Sequence, residues 1–270
     1  MTDLPNSIGK IKQLRYLDLS FTSVKRLPDS MCQLINLQTL KLSCCNNLVG
    51  LPRDMRKLIN LRHLDITGTG IMEMPIQLGR LKHLHTLTTF IIGKTSGSCI
   101  GELRKLTNLR GKLAIMNLQN VVSSTDALDA CLKEKKHIKD LVLEWKADTV
   151  VLKSQRSILD SLQPHSNLES LTIKYYSGNS FPDWVGHHSF SNLASLHLYG
   201  CKYCLSLPPL GQLPSLQDLS IIHFDEVVTV GCEFYGNNSS MKPFRALKVL
   251  RFEWALKLEK WFSLGTGNED

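Results

Sequence analysis

Residues 196–219 read LHLYGCKYCLSLPPLGQLPSLQDL, and this stretch holds one complete turn of a repeat. A short strand with alternating apolar residues, Leu196 and Leu198, leads to a corner at Cys201. A Leu207-Pro208 step follows, and Leu216 to Leu219 starts the next strand. Taken alone, the Cys201-x-x-Cys204 pair invites a metal or redox role. Alignment with SCCNNLVGLP (43–52) removes it. Cys201 falls on Cys45, at a corner where sister turns carry Thr or Cys, and Cys204 falls on the apolar Leu48. No second pair stands at zinc-ligand spacing, so both thiols read as structural.

The same unit recurs along the chain. L-x-x-L-x-[LI] occurs at Leu14-Leu17-Leu19, Leu37-Leu40-Leu42 and Leu61-Leu64-Ile66, with a shorter echo at Leu84-Leu87; the spacings are 23, 24 and 23 residues. After each strand come a polar or thiol corner (Thr22, Cys45, Thr69), an apolar residue (Val24, Leu48, Ile71) and a Leu-Pro or Met-Pro step. Alternation buries two leucines per strand and turns the intervening residues outward. The proline removes a backbone donor and ends the regular element. No single turn can bury its own apolar face, so turns must stack. The period lies in the leucine-rich-repeat range and predicts an α/β leucine-rich repeat solenoid, a curved horseshoe. Its parallel β-sheet lines the concave face, and loops, turns and short helices line the convex face.

The chain, 1–270, divides into regular turns over 1–89, irregular inserted turns over 90–192, and regular to degenerate turns over 193–262. In the middle region Leu113 and Ile115 keep strand positions behind a Gly/Ser loop. SSTDALDACLKEKKH (123–137) predicts a short helix with Ser/Thr caps and a basic last turn. A second helical piece runs from about Leu152 to Leu162 and stops before Pro164. Leu168-Leu171-Ile173, Leu193-Leu196-Leu198, Leu216-Leu219-Ile221 and Leu247-Leu250-Phe252 complete a series of about ten turns.

Composition narrows the function classes. No run of about 18 apolar residues exists, so no segment is long enough to span a membrane as a helix. The N-terminal MTDLPNSIGK lacks the build of a secretory signal, and eight cysteines then imply free thiols in a reducing, cytoplasmic setting (or the nucleus or inner plasma-membrane face). The sequons at Asn237 and Asn238 carry little weight in that setting. Residues 1–140 hold 21 Lys/Arg against 11 Asp/Glu, and residues 141–270 hold 11 against 13, so the net charge of +8 belongs to the first half. No nucleic-acid-binding motif accompanies it, and an acidic protein surface is the expected partner.

Catalytic patterns are missing. Gly93-Lys94-Thr95 resembles the end of a phosphate-binding loop, but position 88, where that motif needs glycine, is Thr88. The nine histidines include no helical metal pair beside a glutamate, and no serine sits in a G-x-S-x-G elbow. The sequence assigns no catalytic, cofactor-binding or metal-ligating residue. What remains is the outward strand face as a protein-binding platform: Tyr16, Asp18, Lys41, His63, Asp65, Glu144, Lys174, His197, Tyr199, Asp218, Arg251 and Glu253.

Several segments resemble a known family: LPPLGQLPSL (207–216), VGCEFYG (230–236), FPDWVG (181–186), LDSLQPHSNLESL (159–171), LRGKLAIMNLQNV (109–121) and ALDACLKEKKHIKDLVLEW (127–145). They are similar to the C-terminal repeat domain of plant intracellular nucleotide-binding, leucine-rich-repeat disease resistance proteins of the coiled-coil class. The resemblance implies a recognition and autoinhibition module in defence, a protein–protein interaction domain. Its expected partners are a pathogen effector or host guardee and the nucleotide-binding domain of the same receptor. ADP or ATP is expected only in that nucleotide-binding domain, whose motifs this chain lacks. The basic early turns, with Arg53, Arg56, Lys57 and Arg62, are the expected intramolecular docking residues. The chain opens at Leu4-Pro5, halfway through a turn, and resembles the repeat portion of a larger receptor or a truncated relative of one. The alternative is a free-standing intracellular leucine-rich repeat scaffold for a signalling partner.

Overall fold

The structure, a computed structural model, describes residues 2–94, 99–147, 154–236 and 242–262. Thr95, Leu152, both sequon asparagines and the tail from Ser263 lie outside the described residues. The chain forms two compact units, residues 1–138 and 139–270. Each is built from parallel strands whose turns stack one on the next.

In the first unit, β1 (Tyr16–Asp18), β2 (Thr39–Lys41), β3 (His63–Asp65) and β4 (Thr86–Leu87) pair in parallel in chain order. Leu17, Leu40, Leu64 and Leu87 face one another in register, and the last three are at most 1% exposed. Each Leu-Pro or Met-Pro step delivers the chain toward a 3-10 turn: Asp29–Gln33, Met55–Lys57 and Leu78–Arg80. These turns bury Met31, Met55 and Leu78 and end on the buried leucines Leu34, Leu58 and Leu81. Asparagine two residues beyond such a leucine stitches the stack. The Asn36, Asn60 and Asn108 amides donate to the Lys12, Ile35 and Lys82 carbonyls of the preceding turn at 2.8–2.9 Å. Backbone acceptors that no strand reaches are thereby satisfied.

The shorter echo at Leu84-Leu87 has a structural cause. An extra residue separates the two buried positions, Leu87 and Phe90, and the strand restarts as β5 (Thr89–Ile91), which pairs with β6 (Gly111–Met116). Thr88 covers the break. Its hydroxyl accepts the Ile66 amide at 3.1 Å and donates to Asp65 Oδ1 at 3.1 Å, standing in for a backbone acceptor.

The expected helix over 123–137 is shorter than predicted. The helix α1 covers only Ser124–Leu128, its Ser123 cap accepting the Asp126 amide at 3.1 Å. The chain then passes through a left-handed Cys131 (φ 49°) into a separate 3-10 turn, Leu132–Glu134. The reason is Lys135. It occupies the slot that Leu34, Leu58, Leu81 and Leu106 fill in earlier turns, and that slot requires the turn geometry rather than a continuing helix. Lys135 is 4% exposed, and its Nζ donates to the Leu103 and Leu106 carbonyls at 2.8 and 3.0 Å. Burial pushes its pKa down.

In the second unit, β7 (Ile138–Glu144), β8 (Ser170–Lys174), β9 (Ser195–Tyr199), β10 (Asp218–Ile222) and β12 (Val249–Glu253) run parallel in that order; β11 (Thr229–Val230) pairs with β13 (Lys260–Trp261). Leu143, Ile173, Leu198, Ile221 and Phe252 share a register, as do Leu141, Leu171, Leu196, Leu219 and Leu250. The helix α2 (Gln155–Ser161) supplies Gln155, whose side chain accepts from Trp145 Nε1 at 2.7 Å. Trp145, Tyr176, Phe181 and Phe224 follow one another at centroid distances of 5.2, 5.4 and 6.3 Å, an aromatic core under the insertion. The FPDW segment (181–184) is an anchor there: Phe181 joins that series, and buried Trp184 donates to the Leu159 carbonyl at 3.2 Å. A third helix, α3 (Cys232–Tyr235), buries Phe234. Leu250, Trp261 and Phe262 in the last turn are 45%, 42% and 51% exposed.

Among the described residues, no helix is long and apolar enough to cross a membrane. The fold is that of an α/β leucine-rich repeat solenoid.

Candidate interaction surface

The corner positions fix how side chains leave the sheet. Two residues past the last buried strand position, the backbone turns left-handed at Phe21, Cys44, Gly68 and Asn117 in the first unit (φ 59–66°). It does so at Tyr175, Gly200, His223 and Trp254 in the second (φ 55–68°). Such a φ costs most residues free energy and suits glycine. Here the amide stays in the ladder: Tyr175, Gly200 and His223 donate to the Tyr199, Ile222 and Glu253 carbonyls at 2.8, 2.8 and 3.0 Å. Gly200 is required for a second reason. A Cβ there would lie 2.6 Å from the Tyr175 ring, which covers it.

Cys201 and Cys204 sit behind this corner, both fully buried, with Sγ 3.8 Å from the Tyr199 carbonyl and 3.2 Å from the Gly178 carbonyl. Burial pushes the Cys201 thiol up to about 12 and raises Cys204 strongly. They are inert packing thiols. Among the described residues, no group of three His, Cys, Asp or Glu side chains is placed to hold a metal ion.

On the strand face of the first unit, Tyr16, Asp18, Lys41, His63 and Asp65 stand on the adjacent strands β1, β2 and β3. Lys41 Nζ lies 5.7 Å from the Tyr16 ring centre, and Tyr16 donates to Asp18 Oδ2 at 3.0 Å. Hydrogen bonds from Ser20 hold the Asp18 carboxyl below its usual range. His63 Nδ1 lies 3.0 Å from Thr86 Oγ1, and Asp65 accepts from Thr88 and from the Thr67 amide.

On the strand face of the second unit, charges pair across neighbouring strands. Lys174 meets Glu144 at 3.2 Å, and Arg251 meets Asp218 at 3.0 Å while also donating to Ser220 at 3.2 Å. His197 and Tyr199 stand between these pairs in register. A row of rings runs along the corner: Tyr175, Tyr199, His223 and Trp254 at successive centroid distances of 5.5, 5.4 and 5.4 Å. Strand alternation selected Tyr199 from this row and missed Tyr175, His223 and Trp254, which lie one residue beyond the outward positions. The corner position itself is the signal that finds them.

The four expected docking cations do not form one patch. Arg56 and Lys57 line a groove of about 690 Å³ with Lys12, Arg80 and the exposed Ile35 and Ile59. Both pair with Asp54, and Arg56 also donates to Gln77 Oε1 at 2.8 Å. Arg53 borders a different depression, with Glu73, Met74 and Ile76. Arg62 is exposed at the start of β3 and lines neither.

Parallel turns that bury the repeat leucines at fixed positions of each turn and present ordered side chains on one strand face define a leucine-rich-repeat protein. Residues 100–224 match the family described as "R13L1/DRL21 LRRs", and residues 12–71 match "Leucine rich repeat". A putative disease resistance protein of Arabidopsis thaliana is 47% identical over 272 residues, covering 97% of this chain and 19% of that protein. The putative disease resistance RPP13-like protein 1 of the same plant is 43% identical over 274 residues, covering 96% of this chain and 26% of that protein. The chain thus spans about a fifth to a quarter of the length of these relatives. Among solved structures, a leucine-rich-repeat protein of Leptospira interrogans superposes with a TM-score of 0.53 at 22% identity, covering 97% of this chain and 69% of that one. An internalin of Listeria monocytogenes gives 0.54 at 14% identity, covering 99% and 72%. The chain belongs to the leucine-rich-repeat family, as the repeat region found in plant disease-resistance proteins.

Proposed function

We propose that the chain is the recognition and autoinhibition module of a cytoplasmic plant immune receptor. The observation that supports it most strongly is the 47% identity to a disease resistance protein across 97% of the chain. In this reading the strand faces bind a pathogen effector or a host protein, and the chain catalyses no reaction. Nucleotide, ADP or ATP, belongs to a separate nucleotide-binding domain. That domain docks against the first unit, where the groove with Arg56, Lys57, Lys12 and Arg80 offers cations around two exposed isoleucines to an acidic partner.

The test is charge reversal in a full-length receptor: Arg56→Glu with Lys57→Glu, against Arg53→Glu with Arg62→Glu. The groove pair is expected to weaken domain association and raise basal signalling, and the second pair to do less. Unchanged association and unchanged basal activity in both refute the docking.

A further inference from the structure

The ring row of the second unit has neighbours that select its partner. The outward strand positions beside the rings carry Glu144, Asp218 and Glu253 against two cations, Lys174 and Arg251. Both cations are already held, by Glu144 and by Asp218. Among the described residues Glu253 has no ion-pair partner. It shares a register row with Ile222 and Tyr199 and directly precedes Trp254, which is 60% exposed. His223 stacks on Trp254 with ring planes 19° apart, and Tyr199 meets His223 edge-on at 86°.

We infer that this strip, Tyr175–Tyr199–His223–Trp254 with Glu253, is a docking site for a cationic peptide segment that lays arginine or lysine side chains on the rings. Ring faces attract cations, tryptophan most strongly, and a neighbouring carboxylate adds to the attraction. An anionic segment meets the carboxylate of Glu253 here, with Lys174 and Arg251 already paired. A purely apolar segment desolvates Glu253 without giving it a partner. The rings stay in place without a ligand: three of the four are fixed at left-handed corners whose amides or neighbours are tied into the ladder. A guanidinium therefore meets a pre-ordered surface.

The inference rests on the chain being a protein-binding module and concerns the second unit alone. A peptide titration thus fails or succeeds independently of the receptor assay above. Isothermal titration of the 270-residue chain with hexa-arginine is expected to show saturable binding. Trp254→Ala should weaken it about tenfold and Glu253→Gln about threefold. Asp183→Asn, in the loop with FPDW, should leave it unchanged. Circular dichroism checks the fold, and if Trp254→Ala disturbs it, Glu253→Gln decides. Wild-type affinity in Glu253→Gln, or tighter binding of hexaglutamate or decaproline than of hexa-arginine, overturns the proposal.

Discussion

Lys135 fills a leucine slot with an ammonium group, and replacing it by methionine measures what that exchange is worth. Methionine keeps most of the stem and its packing but removes both donors, which reach the Leu103 and Leu106 carbonyls at 2.8 and 3.0 Å. The Leu103 carbonyl keeps a second donor, the Leu106 amide at 3.0 Å, so the loss concentrates on the Leu106 carbonyl. Stranding a buried acceptor costs about 1–3 kcal/mol. Against this stands the relief of no longer burying a charge, which by itself favours an apolar substitute. The balance is a destabilisation of about 1–2 kcal/mol at neutral pH.

The pH dependence gives the sign an independent check. Burial lowers the Lys135 pKa, so between its folded value and the ordinary lysine value the unfolded chain holds a proton that the folded chain has released. Wild-type stability therefore rises with pH across that window, and Lys135→Met lacks the increment. Urea unfolding followed by circular dichroism at pH 7 and pH 9.5 should show the gap between the two proteins widening at the higher pH. Amide exchange in the turn over 103–109 should accelerate in the variant, because each turn is supported by its neighbours. A variant at least as stable as wild type at pH 7, with unchanged exchange at those amides, refutes the reasoning and shows that desolvation outweighs the two hydrogen bonds.

Three further outcomes are expected. Thr88→Val removes the oxygen that accepts the Ile66 amide across the sheet break, at a cost of about 1–3 kcal/mol, read as a lower urea midpoint; an unchanged midpoint dismisses the stitch. Gly9→Ala should destabilise the first turns by about 1–3 kcal/mol, because its Cβ would stand 2.4 Å from the Ser30 carbonyl oxygen; faster exchange in those turns is the readout, and wild-type exchange counts against it. In a thiol titration of the native chain at pH 8, exposed Cys99 and Cys232 should label first, while Cys201, held near 12, carries a thiolate fraction of about one in ten thousand. Fast labelling of Cys201 or Cys204 without denaturant contradicts their packing role.

The leucines made most of the fold legible. A fixed spacing of apolar residues admits one arrangement in which every turn buries its neighbour's face, and Leu40, Leu64 and Leu87 stand in register as that spacing requires. The packing of Cys201 and Cys204 just behind a corner was legible by the same alignment. Lys135 was not, because a lysine in an apolar slot looks like part of a basic helix end until the Leu103 and Leu106 carbonyls are seen to receive it. Thr88 was hidden for a similar reason: a one-residue insertion in a strand leaves no mark except a truncated pattern. The outward residues were legible singly but not as partners. Alternation places Asp218 and Arg251 on one face, and only the strand register brings them to 3.0 Å.

That pairing changes what a substitution on the strand face means. An exposed ion pair contributes little to stability, so Asp218–Arg251 and Glu144–Lys174 do little to hold the turns together. Each pair does neutralise a charge that a ligand would otherwise meet. Removing Arg251 therefore does not simply delete a contact; it frees Asp218 and adds one more carboxylate to a face that already carries Glu253. A basic partner should then bind the Arg251→Ala chain more tightly than the wild type, whereas an acidic partner should bind it less well. The direction of that single change reports the charge of the natural ligand, and it does so through a residue that holds neither the leucine core nor the ring row in place.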